Sequence, residues 1–216
     1  MKKTTFKKVL FIILGVMLLC SLAACGSKEQ SGTTAPGSAV QTTKAADESK
    51  SNGTEESGKA LVVYFSATGS TKRVAEVIAQ KLGADIFEIE PADPYTSDDL
   101  NYNNKESRVS LEHDDETKRA VELKKDTPDD WESYDTVYIG YPVWWGISAW
   151  TADSFVQKNS FEGKTVVPFC TSASSGLGDS ANLLSKKADG GLWHAGKRFS
   201  SQASESEVSA WVEEIK

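Results

Sequence analysis

The second part of the chain alternates short apolar runs with amphipathic segments. Residues 60–65 form a continuous apolar run, typical of a strand that is covered on both faces. Apolar residues then recur at helical spacing, at Val74, Val77, Ile78 and Leu82. Gly83 follows them directly as a stop signal, so the pattern predicts a strand and then a helix.

Later segments repeat this pattern. Further strands are predicted at residues 86–89, 137–139 and 166–169, with a weak fifth strand near residues 192–199. Further helices are predicted at residues 148–158, 179–187 and 205–215. Strands that alternate with helices pair in parallel through right-handed crossovers. The pattern therefore predicts an α/β domain of three layers.

Residues 91–130 are less regular and rich in Asp, Glu and Asn. We predict one helix in this segment, at residues 116–125. Three interpretations remain open: a lid over a ligand, a surface for a partner, and an acidic connection that bears one solvated helix.

Loops with polar or aromatic side chains follow three predicted strands, at residues 66–71, 142–146 and 171–178. Because the carboxyl ends of parallel strands meet at one edge, where such sheets bind ligands, we expect these loops to converge. The first loop opens a helix, whose free N–H groups and dipole favour an anion. It carries four hydroxyl side chains and one glycine: Ser66, Thr68, Ser70, Thr71 and Gly69. We interpret it as a phosphate site, which Lys72 and Arg73 either assist or leave to face solvent.

The chain starts with a basic segment, an apolar segment and a cysteine. The basic residues are Lys2, Lys3, Lys7 and Lys8. The apolar run at residues 9–19 is shorter than the roughly 20 residues that span a bilayer, and residues 22–25 read Leu-Ala-Ala-Cys. The pattern resembles the lipobox of bacterial lipoproteins, which implies a lipid on Cys25. An uncleaved signal anchor is the alternative.

These features divide the chain into three parts: a lipoprotein signal peptide at residues 1–24, the lipidated Cys25 with a disordered tether at residues 25–58, and one domain at residues 59–216. The tether is rich in Ser, Thr and Gly and has almost no large apolar residue to bury. We expect the domain to be lipid-anchored to the cell membrane on its extracytoplasmic side.

Charge and cysteine content narrow the function. A formal net charge of −7 over 216 residues argues against a nucleic-acid ligand. Of three cysteines, only Cys170 belongs to the predicted domain, so a disulfide framework is excluded and we interpret this thiol as a packing residue. His113 and His194 are too few and too far apart to predict a metal site.

The three loop motifs together resemble those of flavodoxins, and among them the flavodoxin-like proteins with a Tyr-Pro-x-Trp-Trp-Gly loop. The resemblance covers residues 60–216. It rests on Ser-Ala-Thr-Gly-Ser-Thr at 66–71, Tyr-Pro-Val-Trp-Trp-Gly at 141–146 and Thr-Ser-Ala-Ser-Ser-Gly-Leu-Gly at 171–178. It implies a doubly wound, five-stranded parallel sheet of order 2-1-3-4-5 and non-covalent binding of flavin mononucleotide (FMN).

The resemblance also implies a role for each loop. The first binds the phosphate of FMN, the second packs on the flavin ring and the third flanks the pyrimidine side. The cofactor-binding residues implied in this way are Ser66, Ala67, Thr68, Gly69, Ser70 and Thr71, then Pro142, Val143, Trp144, Trp145 and Gly146, and then Thr171, Ser172, Ser175 and Gly176. For one of the two tryptophans we expect packing in the core.

Three functions remain open. The first is an electron-transfer protein whose partner is a redox protein or a membrane electron carrier. Flavodoxins that carry electrons usually stack an aromatic residue of the third loop on the ring, and residues 171–178 contain none. An open ring face would suit an FMN-dependent NAD(P)H or quinone oxidoreductase instead. The third function is a non-redox lipoprotein that binds another phosphorylated ligand.

Overall fold

A parallel β-sheet forms the middle of the fold. The computed structural model describes residues 58–215. Within that range the strands are β1 (Ala60–Tyr64), β2 (Asp85–Glu88), β3 (Thr136–Trp144), β4 (Ile147–Ser148), β5 (Thr165–Ser172), β6 (Leu192–Trp193) and β7 (Lys197–Ser200). The helices of the same range are α1 (Ser70–Leu82), α2 (Arg108–Asp114), α3 (Trp150–Lys158), α4 (Ser180–Ser185) and α5 (Glu205–Glu214), with 3₁₀ turns at Glu116–Lys118 and Trp131–Ser133.

The sheet of the described residues has seven strands in the order β2-β1-β3-β5-β6. β1 pairs in parallel with β2 and β3, and β3 pairs in parallel with β5. β6 and β7 both pair in parallel with β5, whereas β4 pairs antiparallel with β3. The parallel α/β architecture is confirmed and its first four positions follow the expected order. The expected count of five strands is wrong.

The two additional strands have local causes. The weak strand expected near residues 192–199 is divided into β6 and β7. β6 pairs with residues of β5 before Pro168, and β7 pairs with residues after it. Pro168 has no backbone N–H to donate, so the ladder is interrupted at that position. β4 arises because the chain turns back directly after β3.

Helices cover both faces of the sheet. On one face α1 and α5 bury Ile78 and Trp211 against it. On the other face Trp150 and Phe155 of α3 and Leu184 of α4 are fully buried. The predicted three layers are therefore present. The helices predicted at residues 148–158, 179–187 and 205–215 exist with somewhat shorter bounds.

The helix predicted at residues 116–125 is wrong. Only the 3₁₀ turn Glu116–Lys118 forms there, and the regular helix α2 lies earlier. Val121 and Leu123 are buried at alternate positions, and Leu123 forms an antiparallel bridge with Pro91. Charged residues dominate this stretch, so it has no apolar stripe that a helix could bury.

The predicted signal peptide, Cys25 and nearly all of the predicted tether lie outside the described residues. Within residues 58–215, no helix combines the length and apolarity that crossing a bilayer requires.

Candidate functional site

Three of the described strands deliver loops to one cleft of about 460 Å³, at the carboxyl ends of β1, β3 and β5. This volume lies within the range typical of small-molecule sites. The cleft is lined by Ala67, Thr68, Ser70, Leu100, Tyr102, Pro142, Val143, Trp144, Trp145, Thr171, Ser172, Ala173 and Ser201. None of these residues is charged, so a ligand here meets neutral donors and apolar surface.

The first loop ends at an uncapped helix N-terminus. Gly69 is the N-cap of α1, adopts a φ of 85° and makes no side-chain capping hydrogen bond. The left-handed φ explains the glycine, since residues with a Cβ rarely adopt it. The N–H groups of the first turn have no intrahelical acceptor, and Gly69 has no side chain that could accept a hydrogen bond from them. They therefore form a donor set suited to an anion.

The hydroxyl groups of the first loop differ in their state. Ser66 Oγ is buried and has no hydrogen-bond partner among the described residues. A buried polar atom of this kind is costly unless something satisfies it. Thr71 is also buried, but its Oγ1 lies 2.8 Å from Thr171 Oγ1. Ser66 is thus available to a ligand, whereas the Thr71 hydroxyl joins the first loop to the third.

The two basic residues of the first helical turn are already engaged. Lys72 Nζ lies 3.1 Å from Glu88 Oε2. The Arg73 guanidinium donates a hydrogen bond to the backbone oxygen of Ser201, which lies on the cleft wall. An anion at the loop would depend on N–H and hydroxyl donors rather than on a cation.

The second loop is a tight β-hairpin turn between β3 and β4. Trp144 pairs with Ile147, so the turn consists of Trp145 and Gly146, which have φ values of 46° and 85°. Two positive φ values are the pattern of a type I′ turn, which favours Asn-Gly. A tryptophan with positive φ is strained, and such strain concentrates at functional sites.

The two tryptophans have different surroundings. Trp144 makes edge contacts with Phe65 and Trp150, at ring-centroid distances of 5.7 and 4.9 Å. Trp145 is 45% exposed and stacks on His113 at 4.3 Å. Trp144 thus extends the core cluster, as expected for one of the pair, and Trp145 stays accessible at the cleft.

Helix α2 holds Trp150, which contacts both of these tryptophans, through a buried carboxylate. Glu112 Oε2 accepts hydrogen bonds from Trp150 Nε1 at 2.7 Å and from Tyr95 Oη at 2.8 Å, and Arg108 Nε lies 2.8 Å from Oε1. Burial and the Glu112 carboxylate raise the pKa of Tyr95, which keeps it protonated as a donor. Sequence reasoning missed this support. The start of α2 could have been predicted from Ser107, because its side chain caps this helix.

Arg198 of β7 makes hydrogen bonds to the third loop. Arg198 Nε donates to Ser172 Oγ at 2.9 Å, and its Nη2 donates to Ser172 O at 2.8 Å. Thr171, Ser172 and Ala173 lie on the cleft wall.

The cleft gathers most, not all, of the residues that the sequence singled out. Ser66, Gly69, Thr71 and Gly146 belong to the same loops but are not among the residues that line the cleft, and Ser175 and Gly176 lie further along the third loop. Four lining residues were missed: Leu100, Tyr102, Ala173 and Ser201. Leu100 and Tyr102 come from the irregular 91–130 segment, for which a lid was one interpretation.

Other candidate groups lie elsewhere. Cys170 is buried, and burial raises the pKa of its thiol to about 12, so the thiolate is not available at neutral pH. His194 lines a cleft of about 980 Å³ at the amino ends of the strands, together with Lys59 and Asp85. Within the described residues, that cleft is not built from a set of loops that follow strands. Lys59 Nζ there lies 3.0 Å from Asp85 Oδ2, so the two charges pair with each other.

Several solved structures resemble this chain. A crystal structure from Bacteroides eggerthii DSM 20697, named as a flavoprotein, is 42% identical, with 73% of this chain and 97% of that chain covered and a TM-score of 0.65. A flavoprotein structure from Bacteroides uniformis ATCC 8492 is 38% identical, with 72% and 98% covered and a TM-score of 0.67. A flavoprotein from Lactobacillus acidophilus NCFM, crystallised in complex with FMN, is 26% identical, with 71% and 98% covered and a TM-score of 0.55.

Comparison with curated proteins finds no match. The sequence does match the family described as flavodoxin over residues 59–215, which include every strand and helix of the described fold. This chain therefore belongs to the flavodoxin family.

Proposed function

We propose that this protein binds FMN non-covalently in the cleft and transfers electrons on the extracytoplasmic face of the cell membrane, to which a lipid on Cys25 anchors it. One observation carries the cofactor assignment. Within residues 58–215, an uncharged cleft joins a helix N-terminus without a side-chain cap and a buried hydroxyl without a partner to two tryptophans. Flavodoxin family membership and the FMN complex of the Lactobacillus relative support the same cofactor.

The first loop fits the phosphate end of FMN. The Ser66 hydroxyl and the free N–H groups after Gly69 would hold the phosphate, and Thr68 and Ser70 lie on the wall beside them. Lys72 is paired with Glu88, so the phosphate charge would be met by oriented dipoles.

The second and third loops fit the ring end. Pro142, Val143 and the two tryptophans offer apolar contact to the ring. Thr171 and Ser172 also line the wall, but their hydroxyl groups already pair with Thr71 and with Arg198 and Ser175. When bound, FMN supplies the capacity to accept and release electrons. The residues of the chain bind it, orient it and exclude water, while the Glu112 network keeps the aromatic wall in place.

The membrane assignment is supported by the sequence before residue 58. A basic segment, an apolar segment and Leu-Ala-Ala-Cys stand in the order of a lipoprotein signal. Reduced nicotinamide is not expected outside the cytoplasm. A redox protein or a membrane electron carrier is therefore the proposed partner.

A second candidate is an FMN-dependent oxidoreductase for NAD(P)H or a quinone. The third loop lines the cleft with Thr171, Ser172 and Ala173 and contributes no aromatic ring there, which leaves room for a flat substrate. Steady-state oxidation of NADH or NADPH with a quinone separates the candidates, because a carrier alone should show negligible turnover.

Flavin binding is tested by titrating FMN fluorescence with the purified chain and repeating the titration with riboflavin. We expect quenching by Trp144 and Trp145, and much tighter binding of FMN than of riboflavin. Ser66→Ala should weaken FMN binding about tenfold and leave riboflavin binding unchanged, because only the phosphate loses a hydrogen bond. Thr151→Val is the matched control, since Thr151 Oγ1 is a buried hydroxyl, also without a partner among the described residues, on α3. No binding of either flavin would leave a lipoprotein that binds a different phosphorylated ligand.

The anchor is tested separately, by fatty-acid labelling and membrane fractionation of the wild-type chain and of Cys25→Ser. We expect label and membrane association in the wild type only. Equal labelling of the variant would contradict the lipid anchor without affecting the flavin assignment.

A further inference from the structure

Three large aromatic side chains line the cleft, and one of them has no aromatic neighbour among the residues that the structure describes. Trp144 contacts Phe65 and Trp150, and Trp145 stacks on His113. Tyr102 makes no ring contact within residues 58–215 and is 70% exposed. An aromatic ring exposed on the wall of an apolar cleft gains most when a flat ligand covers it.

Tyr102 is on a segment that its own hydrogen bonds hold in place. The N–H and Oγ1 of Thr96 both donate to Asp99 Oδ2, at 2.8 and 2.7 Å. The Tyr102 N–H donates to Leu100 O at 2.9 Å, and the Val109 N–H of α2 donates to Asp99 O at 3.0 Å. The backbone that carries Tyr102 is therefore tied to α2, the helix that also supports the tryptophan wall.

The third loop contributes no aromatic ring to the lining of the cleft. Its lining residues Thr171, Ser172 and Ala173 have no ring to stack on a ligand. We infer that Tyr102, from the connection between β2 and α2, stacks on the flavin ring and supplies the aromatic contact that the third loop lacks. This inference rests on the proposed function. It makes the connection part of the ring site, so the ring is less open to a second flat molecule than the third loop alone suggests.

The test measures dissociation constants of the full-length protein, kept in mild detergent, for FMN, riboflavin and inorganic phosphate. Tyr102→Ala should raise the constants for FMN and riboflavin by the same factor, about five- to tenfold, and leave that for phosphate unchanged. Tyr102→Phe should bind like the wild type, because it keeps the ring. Ser66→Ala should give the opposite pattern, a loss for FMN and none for riboflavin.

Leu192→Ala is the control for removing an exposed apolar side chain, since Leu192 is 66% exposed and lies on β6, away from the cleft. Unchanged flavin binding by Tyr102→Ala, or equal losses in Tyr102→Ala and Tyr102→Phe, would overturn the stacking role and leave the proposed function standing. A wild-type protein that binds no flavin would overturn both. Thermal unfolding of each variant checks that lost binding is not lost folding.

Discussion

Thr71 and Thr171 lie one hundred positions apart in the chain, and their buried side-chain oxygens are 2.8 Å apart beside the cleft. Thr71 belongs to the first turn of α1 and Thr171 to the end of β5. This hydrogen bond fixes the distance between the predicted phosphate loop and the third loop. Each hydroxyl is the other's described partner, so both are needed for either to be satisfied.

Thr71→Val should lower the free energy of unfolding by about 1–3 kcal/mol, because the Thr171 hydroxyl would stay buried without a partner. Thr171→Val should do the same. The double variant should lose less than the sum of the two, since it leaves no orphaned hydroxyl. Urea unfolding of the four proteins measures this coupling. Thr151→Val, which removes a hydroxyl that has no described partner, should be neutral or stabilising. Additive losses would contradict the pairing.

Gly140 is required by its neighbour across the sheet. Gly140 of β3 pairs with Phe169 of β5, and a Cβ added at Gly140 would lie 2.2 Å from Phe169 Cζ. Gly140→Ala should therefore lower the free energy of unfolding by about 3 kcal/mol or prevent folding. Phe169→Leu, which shortens the opposing side chain, should recover part of the loss in the double variant.

The control for a general effect of alanine is Gly176→Ala. A Cβ there would meet only Gly178 N, at 3.9 Å. We expect the free energy of unfolding of this variant to lie within about 0.5 kcal/mol of the wild-type value, or slightly above it. Denaturation midpoints that fall equally in both variants would argue against the Phe169 contact as the cause.

Trp145 has a strained backbone and also contributes an aromatic ring to the cleft, and two substitutions distinguish the effects of these two features. Trp145→Asn and Trp145→Val both remove the ring, but only asparagine tolerates a φ of 46°. The Asn variant should be more stable than the Val variant by about 1–2 kcal/mol in urea unfolding, since Asn-Gly suits a type I′ turn. Both should bind flavin more weakly than the wild type. Equal stability of the two variants would mean that the turn does not hold this φ in solution.

Cys170 predicts a specific loss of stability in alkali. Burial raises the pKa of its thiol from 9.0 to about 12. Between these values the unfolded thiol releases its proton and the folded thiol keeps it, so rising pH favours unfolding, by about 1.4 kcal/mol per pH unit for this group. The stability that the protonated Cys170 thiol contributes to the folded state is fully present below pH 9 and is lost as the pH rises towards 12.

Urea midpoints of the wild type and Cys170→Ala between pH 7 and 11 check this sign. Below pH 9 the variant should differ from the wild type by a constant amount, the effect of a smaller side chain. Above pH 9 the wild type should lose stability faster. Buried tyrosines such as Tyr138, whose pKa burial alone raises, affect both proteins alike. Parallel curves up to pH 11 would contradict the assignment to Cys170.

Several elements of the fold were predictable from local signals in the sequence. Apolar periodicity located α1, and the φ of 63° at Gly83 accounts for its end. Continuous apolar runs located β1, β3 and β5, because strands buried on both faces have no polar face to display. The order of these strands then placed three loops at one edge, and the loop motifs indicated the family that the comparisons show.

Other features depend on contacts between residues far apart in the chain, and these were not predictable. The division of the fifth strand position follows from Pro168 in the neighbouring strand, and the fate of the Thr71 hydroxyl follows from Thr171. Tyr102 and Leu100 reach the cleft from a segment whose pattern predicted a helix in the wrong place. Periodicity reports how a residue relates to its own helix or strand. Contacts such as that between the Thr71 and Thr171 hydroxyls, and the position of the Tyr102 ring at the cleft, depend on how the helices and strands pack against one another. That packing depends on the side chains of the whole domain.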